Sequence, residues 1–85
     1  LLSRSLFAAQ DSFNAGEVRP DALVRQVREA IEKEPMADID YVEMHALPEL
    51  TDPHETVDVP HLLAVAVKFG TTRLIDNVIL EPKKH

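Results

Sequence analysis

The chain has 85 residues, 45% apolar and 28% charged, which is ordinary for a soluble globular protein and enough for one small domain. Its net charge of −6, from 15 acidic and 9 basic residues, lacks the basic footprint of a nucleic-acid or anionic-lipid binder. With no cysteine, a disulfide framework and a thiolate zinc site are both excluded, and the longest apolar run, Leu62 to Val67, is far short of a membrane span of roughly 18 residues.

Residues 1–14 have the spacing of a helix. Leu2, Leu6, Ala9 and Phe13 fall on one stripe at steps of three and four. Asn14-Ala15-Gly16 supplies a stop, because Asn and Gly accept the left-handed turn that ends helices. The opening "LLSRSLFAA" reads as the middle of a helix without an initiating Met, which suggests a segment cut from a longer protein.

A second helix is expected to start at Arg19-Pro20-Asp21. Pro is pre-set for the first helical position, and Asp21 complements the positive end of the helix dipole. Leu23, Val27, Ala30 and Ile31 form its buried stripe, with Val24 beside it. Glu29 and Lys33 are spaced i, i+4 in the favourable order. Pro35 ends the helix, since the residue before a proline avoids the α region.

The period then changes to two. "IDYVEMH", 39–45, reads as a strand with Val42 and Met44 on one face and Ile39 and Tyr41 on the other. Residues 46–60 carry Pro48, Pro53 and Pro60 among several acids, a long loop of the kind that acts as a lid or a mobile connection. "HLLAVAVKF", 61–69, is a buried strand. Leu63, Val65, Val67 and Phe69 share one face, and the small Ala64 and Ala66 share the other, where a helix could approach closely. Gly70-Thr71 is a turn, and "TRLIDNVIL" returns as the last strand. "EPKKH" is a charged tail. The expected fold is α+β in the order ααβββ: one domain over 1–85, with two N-terminal helices packed on one face of a three-stranded, mostly antiparallel sheet.

Chemistry is sparse. His45, His54, His61 and His85 have no metal-ligand spacing, and His54-Glu55 lacks a second His on the same helical face. The two glycines, Gly16 and Gly70, are too far apart for a phosphate loop, and no serine has nucleophile-elbow context. Paired carboxylates such as Asp38 with Asp40 and Asp52 with Glu55 mostly fall in turns and loops, where a solvated role is the simpler reading. No residue is assigned to catalysis, to a cofactor or to a metal. Arg73, Asp76 and Asn77 are the polar residues to explain, because they sit on both faces of a strand expected to be at least half buried. Buried polar groups need partners. Either Asp76 or Asn77 accepts hydrogen bonds from loop backbone, or Arg73 pairs with an acid such as Asp76 or Glu43.

"GTTRLIDNVIL", "DIDYVEMHALPEL" and "LLSRSLFAAQDSFNAGE" together resemble the C-terminal region of the pantothenate synthetase (pantoate–β-alanine ligase) family over essentially the whole chain. The resemblance implies a two-domain cytoplasmic enzyme. Its N-terminal Rossmann-like domain binds ATP and Mg²⁺ through an HxGH motif and a Ser-Ser-Arg-Asn loop, and activates pantoate as a pantoyl adenylate that β-alanine then attacks. This chain would be the C-terminal lid, with no HxGH of its own. Ser3-Arg4-Ser5 lies inside an amphipathic helix and is not followed by Asn, so it does not match the loop. The lid alone is therefore expected to be inactive and to need neither ATP nor Mg²⁺. Its expected partner is the N-terminal domain, with self-association of the isolated fragment as a further expectation and no nucleic-acid or membrane partner. A free-standing α+β interaction module is the alternative. The coding sequence upstream of Leu1 discriminates between them.

Overall fold

The computed structural model describes residues 2–82; Leu1 and the final "KKH", including His85, lie outside that range. Two helices, α1 (Leu2–Asn14) and α2 (Pro20–Glu32), precede three strands, β1 (Ala37–Ala46), β2 (His61–Phe69) and β3 (Thr72–Leu80). The sheet order is β1-β2-β3 and both pairings are antiparallel. This is the expected ααβββ arrangement, with every strand pair antiparallel.

Local chemistry sets the helix ends. Gly16 stands in the left-handed region at φ 121°. Its N–H donates to the Phe13 carbonyl at 3.1 Å and the Glu17 N–H donates to the Ser12 carbonyl at 2.9 Å. That pair of bonds is a Schellman motif, which satisfies carbonyls the helix would leave open. α2 begins with Pro20 at its first turn and has no side-chain cap at Arg19. The ion pair along α2 is Asp21–Arg25 at 4.0 Å, both exposed, rather than Glu29–Lys33.

The core lies between the helices and one face of the sheet. Leu2, Leu6, Ala9 and Phe13 of α1 and Leu23, Val27 and Ile31 of α2 pack on Val42, Met44, Leu63, Val65, Val67 and Leu80. α1 covers β3 and α2 covers β1. The predicted stripes of both helices are buried except for Ala30, which is only half buried, and Ser5 and Pro20 are buried besides. The Ser5 hydroxyl avoids an unpaired state by donating to the Leu2 carbonyl at 2.7 Å.

One strand face differs from expectation. The register shifts between Ile39 and Tyr41, so Ile39 pairs with Val67 while Tyr41 pairs with Ala66. Asp40 is the extra residue of a β-bulge. The bulge reverses the alternation, and Ile39 joins Val42 and Met44 on the core side instead of facing away with Tyr41.

The 46–60 segment is held rather than loose. Ala46 and Thr51 exchange two backbone hydrogen bonds at 2.9 and 3.1 Å, and the Leu47 N–H donates to the Pro60 carbonyl at 2.9 Å. Val57 is buried in the core, and its N–H donates to the Val18 carbonyl at 2.7 Å, which ties the segment to the link between the helices. The hairpin turn carries Gly70 at φ 63° ahead of Thr71, matching the type II′ turn that suits the twist of two paired strands. No helix among the described residues is long and apolar enough to cross a membrane.

Candidate functional site

The helices leave one face of the sheet open. Register places Tyr41, Glu43 and His45 of β1, Leu62, Ala64, Ala66 and Lys68 of β2, and Arg73, Ile75, Asn77 and Ile79 of β3 on that side. Ile75 and Ile79 are 59% and 45% exposed, unusual for isoleucines in a strand. Ala66 is fully covered by its cross-strand neighbours, Tyr41 and Ile75.

The three polar residues of β3 lie on this edge strand, most of which is exposed. The expectation of a half-buried strand is therefore corrected: β3 has a neighbour on one side only, and its outer face has no covering layer. Arg73 Nε donates to Asp40 Oδ2 at 2.8 Å, with both side chains almost half exposed. The partner is neither Asp76 nor Glu43. The bulge turns Asp40 onto the open face, and Arg73 reaches it over β2, joining the two edge strands. Asp76 is half buried on the helix side, opposite Val65, and its Oδ1 accepts the Asn77 N–H at 2.8 Å. That bond is to a neighbouring strand residue, not to loop backbone.

The histidines form separate local contacts. His45 Nε2 donates to Glu43 Oε1 at 3.1 Å on the open face. His54 Nδ1 donates to Asp58 Oδ1 at 2.6 Å, and this bond draws the Asp58 carboxyl below the usual carboxylate range. His61 is fully buried at the start of β2. Its Nδ1 donates to the Val59 carbonyl at 2.7 Å and its Nε2 accepts the His54 N–H at 3.2 Å, a pattern that fits one neutral tautomer. The rings of His54 and His61 meet edge to face, with centroids 5.2 Å apart. These contacts fasten the 46–60 segment to β2. Among the described residues, no three or more His, Asp or Glu side chains converge as a metal's donor set.

A groove of about 330 Å³ runs between α1, α2 and the end of β2, lined by Leu2, Ser5, Ala8, Ile31 and Phe69, with Arg4 and Lys33 at its rim. Glu34 also lines it, and the Ser5 hydroxyl there is spent on the Leu2 carbonyl. Asp40 and His61 are the residues with structural roles that sequence reasoning missed. The two residues between Ile39 and Val42, where strict alternation between core positions has one, were the available signal for a bulge.

Residues 1–79 match the sequence profile of the pantoate-beta-alanine ligase family. The pantothenate synthetase of Pelotomaculum thermopropionicum is 51% identical over 80 residues, covering 94% of this chain and 28% of that protein. That of Geobacillus thermodenitrificans is 48% identical over 85 residues, covering 99% of this chain and 29% of that protein. In three dimensions, the crystal structure of pantothenate synthetase from Thermus thermophilus superposes with a TM-score of 0.80 at 28% identity, over 95% of this chain and 29% of that one. The chain thus spans under a third of the length of the relatives it matches, and nearly all of its own length belongs to the pantoate–β-alanine ligase family.

Proposed function

We propose that this chain is the C-terminal lid domain of a pantothenate synthetase. The complete enzyme would join pantoate to β-alanine at the expense of ATP, through a pantoyl adenylate, releasing pantothenate and AMP. The observation that carries this reading is the family match over residues 1–79 by a chain spanning 28% and 29% of two relatives. ATP and Mg²⁺ are assigned to an N-terminal Rossmann-like domain, because the family resemblance puts the nucleotide-binding motifs there and none of them is in this chain's sequence. A cytoplasmic location, on the route to coenzyme A, goes with this reading.

The physical task of the lid is exclusion. An acyl adenylate is open to attack by water as well as by an amine, and closure over the site removes the water. Closure also brings the last elements of a site into place and gates release of products. A domain with a rigid core and one uncovered sheet face suits such movement, since inter-domain contacts in mobile enzymes are modest in area. Within this chain the Arg73–Asp40 bridge and the His61 contacts stiffen the body that would move.

The test compares two proteins given ATP, Mg²⁺, pantoate and β-alanine. The 85-residue chain alone should form neither AMP nor pantothenate, and the complete protein should form both in equal amounts. A complete protein that makes no pantothenate overturns the assignment.

A further inference from the structure

The sheet has two edges, and they differ. β1 carries the bulge at Asp40 and a row of acids, Asp38, Asp40 and Glu43. A bulge twists an edge away from a would-be neighbour, and like charges repel a second copy of the same strand. β3 has neither device. It pairs with β2 from Thr72 to Leu80 without a register shift, and its charges, Arg73 and Asp76, cancel. Leu74, Ile75 and Ile79 are exposed along it. A regular, neutral, apolar edge strand is a template for another strand.

Backbone direction shows which groups such a strand would use. The two-residue turn at Gly70-Thr71 makes Phe69 and Thr72 a hydrogen-bonded pair, so Thr72, Leu74, Asp76, Val78 and Leu80 turn their N–H and C=O toward β2. Arg73, Ile75, Asn77 and Ile79 turn theirs outward. Two of these outward groups already have partners within the chain. The Asn77 N–H donates to Asp76 Oδ1 at 2.8 Å. The Ile79 carbonyl accepts from Gln10 Nε2, on α1, at 3.4 Å. The outward residues recur at every second position, so a two-fold antiparallel pairing of β3 with another β3 has few registers. Every register that joins three or more outward residues of each copy uses Asn77.

We infer that Asp76 and Gln10 guard the β3 edge: they hold the Asn77 N–H and the Ile79 carbonyl, and so keep a second copy of the chain from adding its own β3 to the sheet. A neutral carbonyl from an incoming strand would have to displace a charged acceptor, and charge-assisted hydrogen bonds are the stronger kind. This gives Asp76 a role apart from the ligase reading, and the two are tested separately.

Sedimentation equilibrium of the 85-residue chain, whose core closes within its own residues, tests the inference. Far-ultraviolet circular dichroism checks that each variant keeps the fold. Asp76→Ala frees one N–H in each copy, hence two hydrogen bonds per pair, and should raise the association constant about thirtyfold over wild type. Asp76→Asn removes the charge but keeps an acceptor oxygen, and should stay within about threefold of wild type. Adding Asn77→Pro to Asp76→Ala removes the N–H itself, at an outward edge position where proline is tolerated, and should return the constant to the wild-type value. Gln10→Ala should act in the same direction as Asp76→Ala by a smaller factor, because a 3.4 Å bond is weak. Equal association of wild type and Asp76→Ala overturns the inference. So does association of Asp76→Asn as tight as that of Asp76→Ala, which would make charge alone the guard. Association that persists after Asn77→Pro also overturns it, by placing the contact elsewhere. If Asp76→Ala does not fold, Gln10→Ala decides alone: a raised constant supports the guard, and an unchanged one overturns it.

Discussion

Replacing His61 with Phe removes two hydrogen bonds and puts a somewhat larger apolar ring in the same buried place. The His54 N–H and the Val59 carbonyl both lose their partner, and both are partly buried. A polar group left without a bond costs about 1–3 kcal/mol, and partial access to water places each near the low end. The expected loss is about 2–4 kcal/mol, a large share of the total of about 4–13 kcal/mol for a domain of this size. For a domain under 100 residues each kcal/mol moves the melting temperature by about 4–8 °C, so His61→Phe should lower it by about 8–32 °C. Thermal unfolding of the 85-residue chain followed by far-ultraviolet circular dichroism reads this directly. A fall of under about 3 °C would refute the reasoning, because it would mean that water replaces both bonds at no cost.

Three further outcomes follow from the same contacts. Gly16→Ala should cost about 1–2 kcal/mol, measured by urea unfolding, because an L side chain strains a backbone at φ 121° even with open space around it. Arg73→Ala should cost under about 1 kcal/mol at low salt and less still in about 1 M NaCl, since the Asp40 pair is close to half exposed. The Asp58 carboxyl has its affinity for protons lowered by the His54 bond, so its contribution to stability is present above the ordinary value of about 3.8 and is lost as pH falls below it. Asp58→Asn should therefore flatten the acid limb of the stability profile and leave the limb above about pH 5 unchanged in shape.

Much of the architecture was legible because it rests on local chemistry. The helix stripes follow from the spacing of Leu2, Leu6, Ala9 and Phe13 and of Leu23, Val27 and Ile31, and their ends from Gly16 and Pro20. The hairpin follows from one glycine between two apolar runs. What a linear reading could not reach is set by contacts distant in sequence. The bulge at Asp40 depends on how β1 aligns with β2, and it moved Ile39 into the core against simple alternation. The same shift gave Arg73 a partner 33 residues away instead of a nearby acid. The 46–60 segment reads as mobile from its prolines, yet Val57 and His61, each isolated in sequence, pin it to the core and to β2. The small Ala64 and Ala66 suggested a face for close approach of a helix, but both helices pack on the opposite face, against Leu63, Val65 and Val67. Only the position of both helices on the opposite side shows that this face is uncovered.

Family membership came from a match over residues 1–79 rather than from any reactive group, and the described residues hold no cluster of three or more metal-ligating side chains. The central claim is that this domain keeps water from an adenylate made elsewhere in the polypeptide. The most direct measurement is the ratio of AMP released to pantothenate formed by a ligase truncated just before Leu1 and supplied with ATP, Mg²⁺, pantoate and β-alanine. The account predicts continued AMP release with little pantothenate, as adenylate is lost to water. A truncated enzyme that forms one pantothenate per AMP at the rate of the complete enzyme would contradict it.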